Sequence, residues 1–289
     1  MDGLQRDLVF DIGLHLGEDS AYYLRKGYRV VAFEANSDLV ERAKQRFREP
    51  IEEGRFSIVS GAIANTDEPT ITFYTHRTRS EWGTIEPDWA ERNANIGVSI
   101  PVEVPVVNFQ DVLQTYGMPW FMKIDIEGAD ILCLKVLRDY TVRPAFVSIE
   151  SEKVDWPTLL EEFALLDELG FDRFAAVQQQ GITGREIQSH TLSGEPFTYR
   201  FEDFSSGPFG DDISSWRSRD EVLAQYKKIY REYRIVGDRS LLRRTFVGRK
   251  ALGVLSRITQ LPLPGWYDTH AARSVDAVVR MNGGQSEVI

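Results

Sequence analysis

The sequence predicts an α/β protein built on a parallel sheet, and two observations carry that expectation. Between residues 8 and 177, apolar runs of strand length alternate with helical stretches, and the strand runs are apolar throughout rather than at every second position. Strands of that kind belong to a parallel sheet with helices on both faces. Two of the runs also end alike. Val9-Phe10-Asp11-Ile12-Gly13-Leu14-His15-Leu16-Gly17 and Phe121-Met122-Lys123-Ile124-Asp125-Ile126-Glu127-Gly128 each stop in a carboxylate followed by glycine. Ligands of open α/β sheets sit at the carboxyl ends of the strands, so a nucleotide-like cofactor beside a reaction centre is expected there.

The first strand is expected at 8–12, then a helix at 19–26 that Gly27 stops, and a second strand at 29–34. The helix at 37–48 takes Asn36 or Ser37 as its N-cap and Leu39, Val40, Ala43 and Phe47 as its apolar stripe. A third strand is expected at 56–59. Residues 70–74 alternate like an edge strand or hairpin arm, and 102–107 read as another extended piece. The polar stretch 76–99 has little periodicity, and loops of that length inside a domain are usually functional or mobile. Asn108 caps a helix at 109–116, followed by a strand at 120–124, a helix at 129–137 and a strand at 145–150. Asp155 opens the helix 156–169, with Pro157 in its first turn and Gly170 past its end, and 171–177 is the sixth strand.

Beyond residue 178 the pattern changes, which divides the chain into a sheet domain, 1–178, and an extension packed on it as a lid, 179–289. Residues 178–215 are rich in Gly, Ser, Pro and aromatics, with one short strand at 197–201. Ser218 and Glu221 have capping-box spacing and open a helix to about residue 233, its face formed by Val222, Tyr226, Ile229, Tyr230 and Tyr233. A second, basic helix is expected at 240–258.

Composition narrows the partners. A chain of 289 residues with 42% hydrophobic content can bury a sizeable core without staples. Its net charge of −10 argues against a nucleic-acid backbone as partner. The exception is 227–257, with ten basic residues against Glu232 and Asp238; these helices invite an anionic partner, although a solvated face is the plainer account. No leader pattern opens the sequence and no apolar run nears the ~20 residues that span a bilayer, so a cytoplasmic protein without an integral membrane segment is expected. The single cysteine, Cys133, lies in an apolar helical run and reads as a buried thiol.

The strand ends carry the chemistry. A dinucleotide fingerprint places G-x-G-x-x-G straight after the strand. Here an acid holds the strand end and two glycines follow, four apart. Asp11 would repel a pyrophosphate and suits a cationic ammonium, which S-adenosylmethionine has, without any phosphate. Asp11, Gly13 and Gly17, with His15 between the glycines, are expected at its methionine end. Glu34, followed by Ala35, is expected at the ribose hydroxyls, and Gly61 and Ala62 at the adenine rim. Asp125 and Glu127 share a face if the chain stays extended. With Glu150 at the end of the next strand they form an acidic group that could orient or deprotonate an acceptor. Such a group could also hold a divalent metal, which is not expected. His190, in the aromatic–glycine stretch, is a candidate general base, as is His76, while His270 lies near the tail.

Asp11-Ile12-Gly13, Glu34, Lys123-Ile124-Asp125-Ile126-Glu127-Gly128 and the strand ending in Glu150 together resemble the FkbM family of S-adenosylmethionine-dependent methyltransferases, over roughly residues 8–177. The resemblance implies a Rossmann-like seven-stranded methyltransferase sheet with a helical C-terminal extension. It also implies O-methylation of a hydroxyl on a sugar or other natural-product small molecule. The chain departs from the family pattern at His15, where Asn is common, and at Ala35-Asn36, where Pro commonly follows the ribose acid. Other readings stay open: N-methylation of a small-molecule amine, and a non-catalytic S-adenosylmethionine-binding module. A nicotinamide oxidoreductase is disfavoured by the missing third glycine. A small-molecule substrate is the expected partner, and self-association stays open.

Overall fold

Val9, Phe10 and Ile12 expose none of their surface, and from residue 8 to residue 12 neither face of the strand that carries them meets solvent. That strand lies at the centre of a computed structural model that describes residues 3–76, 83–87, 98–126, 129–151, 155–179, 181–236 and 267–275. The chain forms two units, one of residues 1–149 with 186–201, the other of 150–185 with 202–289. The division expected at residue 178 is a different partition: 186–201 fall in the first unit, and 150–178 in the second.

In the first unit the chain runs β1 (Leu4–Ile12), α1 (Glu18–Lys26), β2 (Arg29–Glu34), α2 (Ser37–Arg46), α3 (Arg48–Glu52) and β3 (Phe56–Ser60). After an insertion come α4 (Phe109–Tyr116), β7 (Met118–Ile124), α5 (Asp130–Val136) and β8 (Phe146–Glu150). The strands lie parallel in the order β3-β2-β1-β7-β8. The chain builds outward from β1 to β3, then crosses back to start again at β7. The crevice between the ends of β1 and β7 is thus the switch point where α/β sheets hold ligands. Ile12 is in register with Ile124, and the Asp125 N–H continues the ladder by donating to the Ile12 carbonyl at 2.8 Å.

The expected helix 37–48 is broken in two at Phe47, whose backbone is not helical. Pro50 explains the break: it has no N–H for the Arg46 carbonyl, and its ring would collide with it. The insertion holds β4 (Ala62–Ile63), β5 (Thr70–His76) and β6 (Ser99–Val107), a separate sheet in which β6 pairs parallel with β4 and antiparallel with β5. A hairpin of β10 (Glu186–His190) and β11 (Pro196–Arg200) also belongs to this unit, where Tyr22 of α1 meets the rings of Phe197, Tyr199 and Phe201.

In the second unit, β9 (Arg173–Gln178) pairs antiparallel with β12 (Tyr267–Ala272), a strand the sequence reading lacks. Among the described residues the sheet counts seven strands, the number expected. Helices α6 (Trp156–Glu168) and α7 (Arg219–Val236) send Phe163 and Tyr226 into the same core as Phe174. The Tyr226 hydroxyl is shared with Ser151 and Thr269, at 2.7 Å each, so the buried hydroxyl of Thr269 is satisfied. Glu221 accepts from both the N–H and the hydroxyl of Ser218, at 2.8 and 2.7 Å, fixing the start of α7. The expected helix 240–258 lies outside the described residues. Among the described residues, no helix is long and apolar enough to cross a membrane.

The β1–α1 turn is the tightest place in the first unit. A Cβ on Gly13, whose φ is +93°, would stand 1.9 Å from the Asp125 carbonyl oxygen. Gly54, at φ +71°, has open space around it. Gly13→Ala is therefore expected to lose at least about 3 kcal/mol, roughly 6–12 °C in melting temperature, against about 1 kcal/mol for Gly54→Ala. Thermal melts of the two variants check the difference.

Candidate active site

The turn after β1 is held by its own backbone. The N–H groups of Gly13 and Leu14 donate to the Phe33 carbonyl at 3.2 and 2.9 Å, and that of Gly17 to the Leu14 carbonyl at 2.9 Å. The His15 N–H donates to Glu34 Oε2 at 2.9 Å. Arg46 braces the turn from α2 by donating to the Leu16 carbonyl, also at 2.9 Å. A phosphate-binding turn keeps its N–H groups for the ligand; here those four point at protein acceptors. His15 sits at φ +52°, a left-handed conformation that Asn, Asp and His tolerate better than most residues. The departure from Asn at this position therefore leaves the turn possible.

Beneath the turn lies a buried acidic cluster. Asp11 is 1% exposed; its Oδ2 accepts from the Ser20 hydroxyl at 2.6 Å. Lys123, in register with Asp11 across the β1–β7 ladder, places Nζ 3.8 Å from Asp11 Oδ1, 3.6 Å from Asp19 Oδ2 and 3.3 Å from Asp125 Oδ2. It also donates to the Gly13 carbonyl at 3.4 Å. Glu18 is buried beside Asp19 at the start of α1, with His15 Nδ1 3.9 Å from its Oε2. Acids at a helix N-terminus are favoured by the macrodipole, which explains Glu18 and Asp19 in part.

Burial dominates the ionisation of this cluster. It pushes Asp11 up to about 7, with Asp19 and Asp125 adding to the rise and Lys123 and Ser20 opposing it. Burial likewise raises Glu18 to about 7. Glu34 is also raised to about 7 by burial, against the N–H groups of Asn36, His15 and Ala35 that donate to it. Asn36 donates to Oε1 at 2.8 Å and His15 to Oε2, so both oxygens of Glu34 hold a backbone donor, and a carboxylate with three donors keeps acceptor capacity for another.

The structure thus brings together Asp11, Gly13, His15, Gly17, Glu34 and Asp125 at the switch point. Gly61 follows β3, donating its N–H to the Glu34 carbonyl at 2.9 Å, and Ala62 packs with Ala35 against Phe73 and Val104. The glycines have structural reasons of their own. A Cβ on Gly17 would meet the Phe47 ring at 2.4 Å, and one on Gly61 the Pro105 carbonyl oxygen at 2.5 Å.

Two expected groups fall elsewhere, and a third lies outside the described residues. β7 ends at Ile124, so Asp125 lies past the strand, and Glu127 lies outside the described residues. Glu150 ends β8 and belongs to the second unit. His190 is exposed at the end of β10, two residues before Leu192, whose N–H donates to the Lys26 carbonyl at the C-terminal end of α1. Nine helical residues, about 13 Å of rise, separate that end from Gly17, so His190 stands away from the cluster. His76 and His270 are buried rather than exposed, and burial alone lowers His270 to about 3. Burial pushes the Cys133 thiol well above its ordinary value, as befits a packing residue. The sequence reading did not place Lys123, Asp19, Ser20 or Glu18 in the site. The alternation that puts Lys123 on one face with Asp125 was the signal available for the lysine. Among the described residues, no group of three or more His, Cys, Asp or Glu is arranged to hold a metal ion.

With this geometry in place, comparison identifies the chain. A model of the FkbM methyltransferase domain matches residues 11–173, more than half of the sequence, and the chain belongs to that family. It is accordingly an S-adenosylmethionine-dependent methyltransferase. No curated protein sequence matches it. Among solved structures, it is similar to precorrin-6y C5,15-methyltransferase from Geobacter metallireducens GS-15, at 11% identity and TM-score 0.35 over 68% of this chain and 77% of that one. An O-methyltransferase from Bacillus cereus in complex with SAH aligns at 14% identity and TM-score 0.31, over 66% and 72%. The glycopeptide N-methyltransferase MtfA aligns at 10% identity and TM-score 0.30, over 92% and 82%. Superpositions this loose say nothing of the acceptor.

The raised acids make stability depend on pH. Asp11, Glu18 and Glu34 hold protons in the fold up to about 7 but lose them near 4 when unfolded, so their contribution declines as pH rises from about 4 through 7. His270 acts oppositely, adding stability as pH rises from about 3 to 6.5, its ordinary value. Above 6.5 only the acids remain in play among these four. The melting temperature of the ligand-free protein is expected to fall between about pH 6.5 and 8, and Glu34→Gln to flatten that fall, as measured by melts across the range.

Proposed function

We propose that the cluster at the β1–β7 switch point holds S-adenosylmethionine and that the enzyme methylates a hydroxyl of a sugar or other natural-product small molecule. The observation that carries the site is its excess of carboxyl groups over cations. Asp11, Asp19 and Asp125 surround one lysine, and Asp11 Oδ1 has no hydrogen-bond partner among the described residues. An acidic pocket with an unsatisfied carboxylate oxygen fits a cation, and the occupied N–H groups of the turn do not fit a pyrophosphate.

In this reading Asp11 and Asp19, with the Gly13–Gly17 turn and His15, receive the methionine end, Glu34 beside Ala35 accepts the ribose hydroxyls, and Gly61 and Ala62 border the adenine. When bound, S-adenosylmethionine supplies a methyl group on a positively charged sulfur that an incoming oxygen displaces. The chain contributes alignment above all. Asp125 also contributes a proton acceptor: its side chain is 39% exposed, whereas Asp11, Asp19 and Glu18 are at most 5% exposed as residues. It is the carboxylate of the cluster that an acceptor hydroxyl can reach.

Two measurements test this. Calorimetry is expected to show binding of S-adenosylhomocysteine and none of NAD; the reverse would overturn the site. In methyl transfer from labelled S-adenosylmethionine to a panel of hydroxylated small molecules, Asp125→Asn should lower turnover by roughly 10²–10⁴ and leave the affinity for S-adenosylhomocysteine within about threefold. Equal loss of both would make Asp125 a cofactor ligand instead.

A further inference from the structure

Lys123 has no part in the reading above, yet it is the cation around which the acids are arranged. Its ammonium has four oxygens at 3.3–3.8 Å, from Asp125, Gly13, Asp19 and Asp11. The four distances differ by only 0.5 Å, so these oxygens share the ammonium. Its side chain is 6% exposed, and Asp125 alone of the three carboxylates extends to solvent. The lysine is thus buried with Asp11 and Asp19, and Asp125 marks the side on which the cluster meets solvent. Without it, Asp11 and Asp19 would lose a cation that stands within 4 Å of both, and leaving a buried charge uncompensated costs several kcal/mol.

We propose that Lys123 is a positioning residue of the cofactor site: shared among Asp11, Asp19, Asp125 and the Gly13 carbonyl, it holds these acids in place to receive the cationic methionine end of S-adenosylmethionine. This inference rests on the site proposed above. The groups that bear on it come from every element around it: Asp11 on β1, Glu18, Asp19 and Ser20 on α1, His15 in the turn, Glu34 on β2, and Asp125 after β7. Lys123 opposes the rise in Asp11's affinity for protons, so its removal leaves Asp11 neutral to a higher pH.

The test is the pH dependence of S-adenosylmethionine binding, followed by calorimetry from pH 6 to 9 for the full chain and its variants. Lys123→Met is expected to weaken binding roughly tenfold at pH 7, to shift the midpoint of the pH profile upward, and to recover affinity toward pH 9. Lys123→Arg, which keeps the charge, should keep the midpoint. Should Lys123→Met fail to fold, the paired variant Lys123→Met/Asp19→Asn restores the charge balance, and its midpoint should again lie above the wild type's. An unmoved midpoint, or tighter binding in the methionine variant, would overturn the proposal, the latter by making Lys123 a competitor of the ligand. Failure of the wild type itself to bind S-adenosylmethionine would instead defeat the underlying site.

Discussion

One ammonium held among three carboxylates, where the ends of β1 and β7 meet, is the interaction on which this site depends. The β1 turn can come so close to the end of β7 only because position 13 lacks a side chain, and that closeness brings Asp11, Asp125 and Lys123 together. Burial then works against the acids, raising Asp11, Glu18 and Glu34 to about 7. One lysine cannot offset that many carboxylates. The ligand-free site therefore holds protons near neutrality, and a cation is the ligand that would displace them.

Much of the sheet was legible in the sequence because its causes are local. β2 and α4 fall where the apolar runs and the Asn108 cap predict them, with Asn108 accepting from the N–H groups of Gln110 and Asp111. The break at Phe47 was equally local, and the proline that causes it was visible but unread. β12 is different. Tyr-Asp-Thr-His-Ala-Ala has no branched apolar run, and its burial of Asp268, Thr269 and His270 is made tolerable at Thr269 by hydroxyl partners from Ser151 and Tyr226. Those partners lie 118 and 43 residues away, where no window of sequence reaches.

The candidate site divides in the same way. Strand-end acids and glycines announce themselves, so Asp11, Glu34 and Asp125 could be named, whereas the steric reasons for the glycines show only in the fold. Gly13, Gly17 and Gly61 answer first to a carbonyl, a phenyl ring and another carbonyl, rather than to a ligand's approach. For Lys123 the alternation with Asp125 was one signal, but its role, like those of Asp19 and Ser20, follows from register across β1 and β7 and from helix α1. His190 illustrates the converse: a suitable residue type in a suggestive stretch that the fold carries to the other end of α1.

Proton linkage at neutral pH tests the account most directly. Titrating S-adenosylmethionine into the protein at pH 7, in buffers of different ionisation enthalpy, measures the protons exchanged on binding. The account predicts release of on the order of one proton, as a cation and the ribose hydroxyls draw Asp11, Glu18 and Glu34 into their ionised forms. Binding with no dependence on the buffer, or with proton uptake, would contradict it.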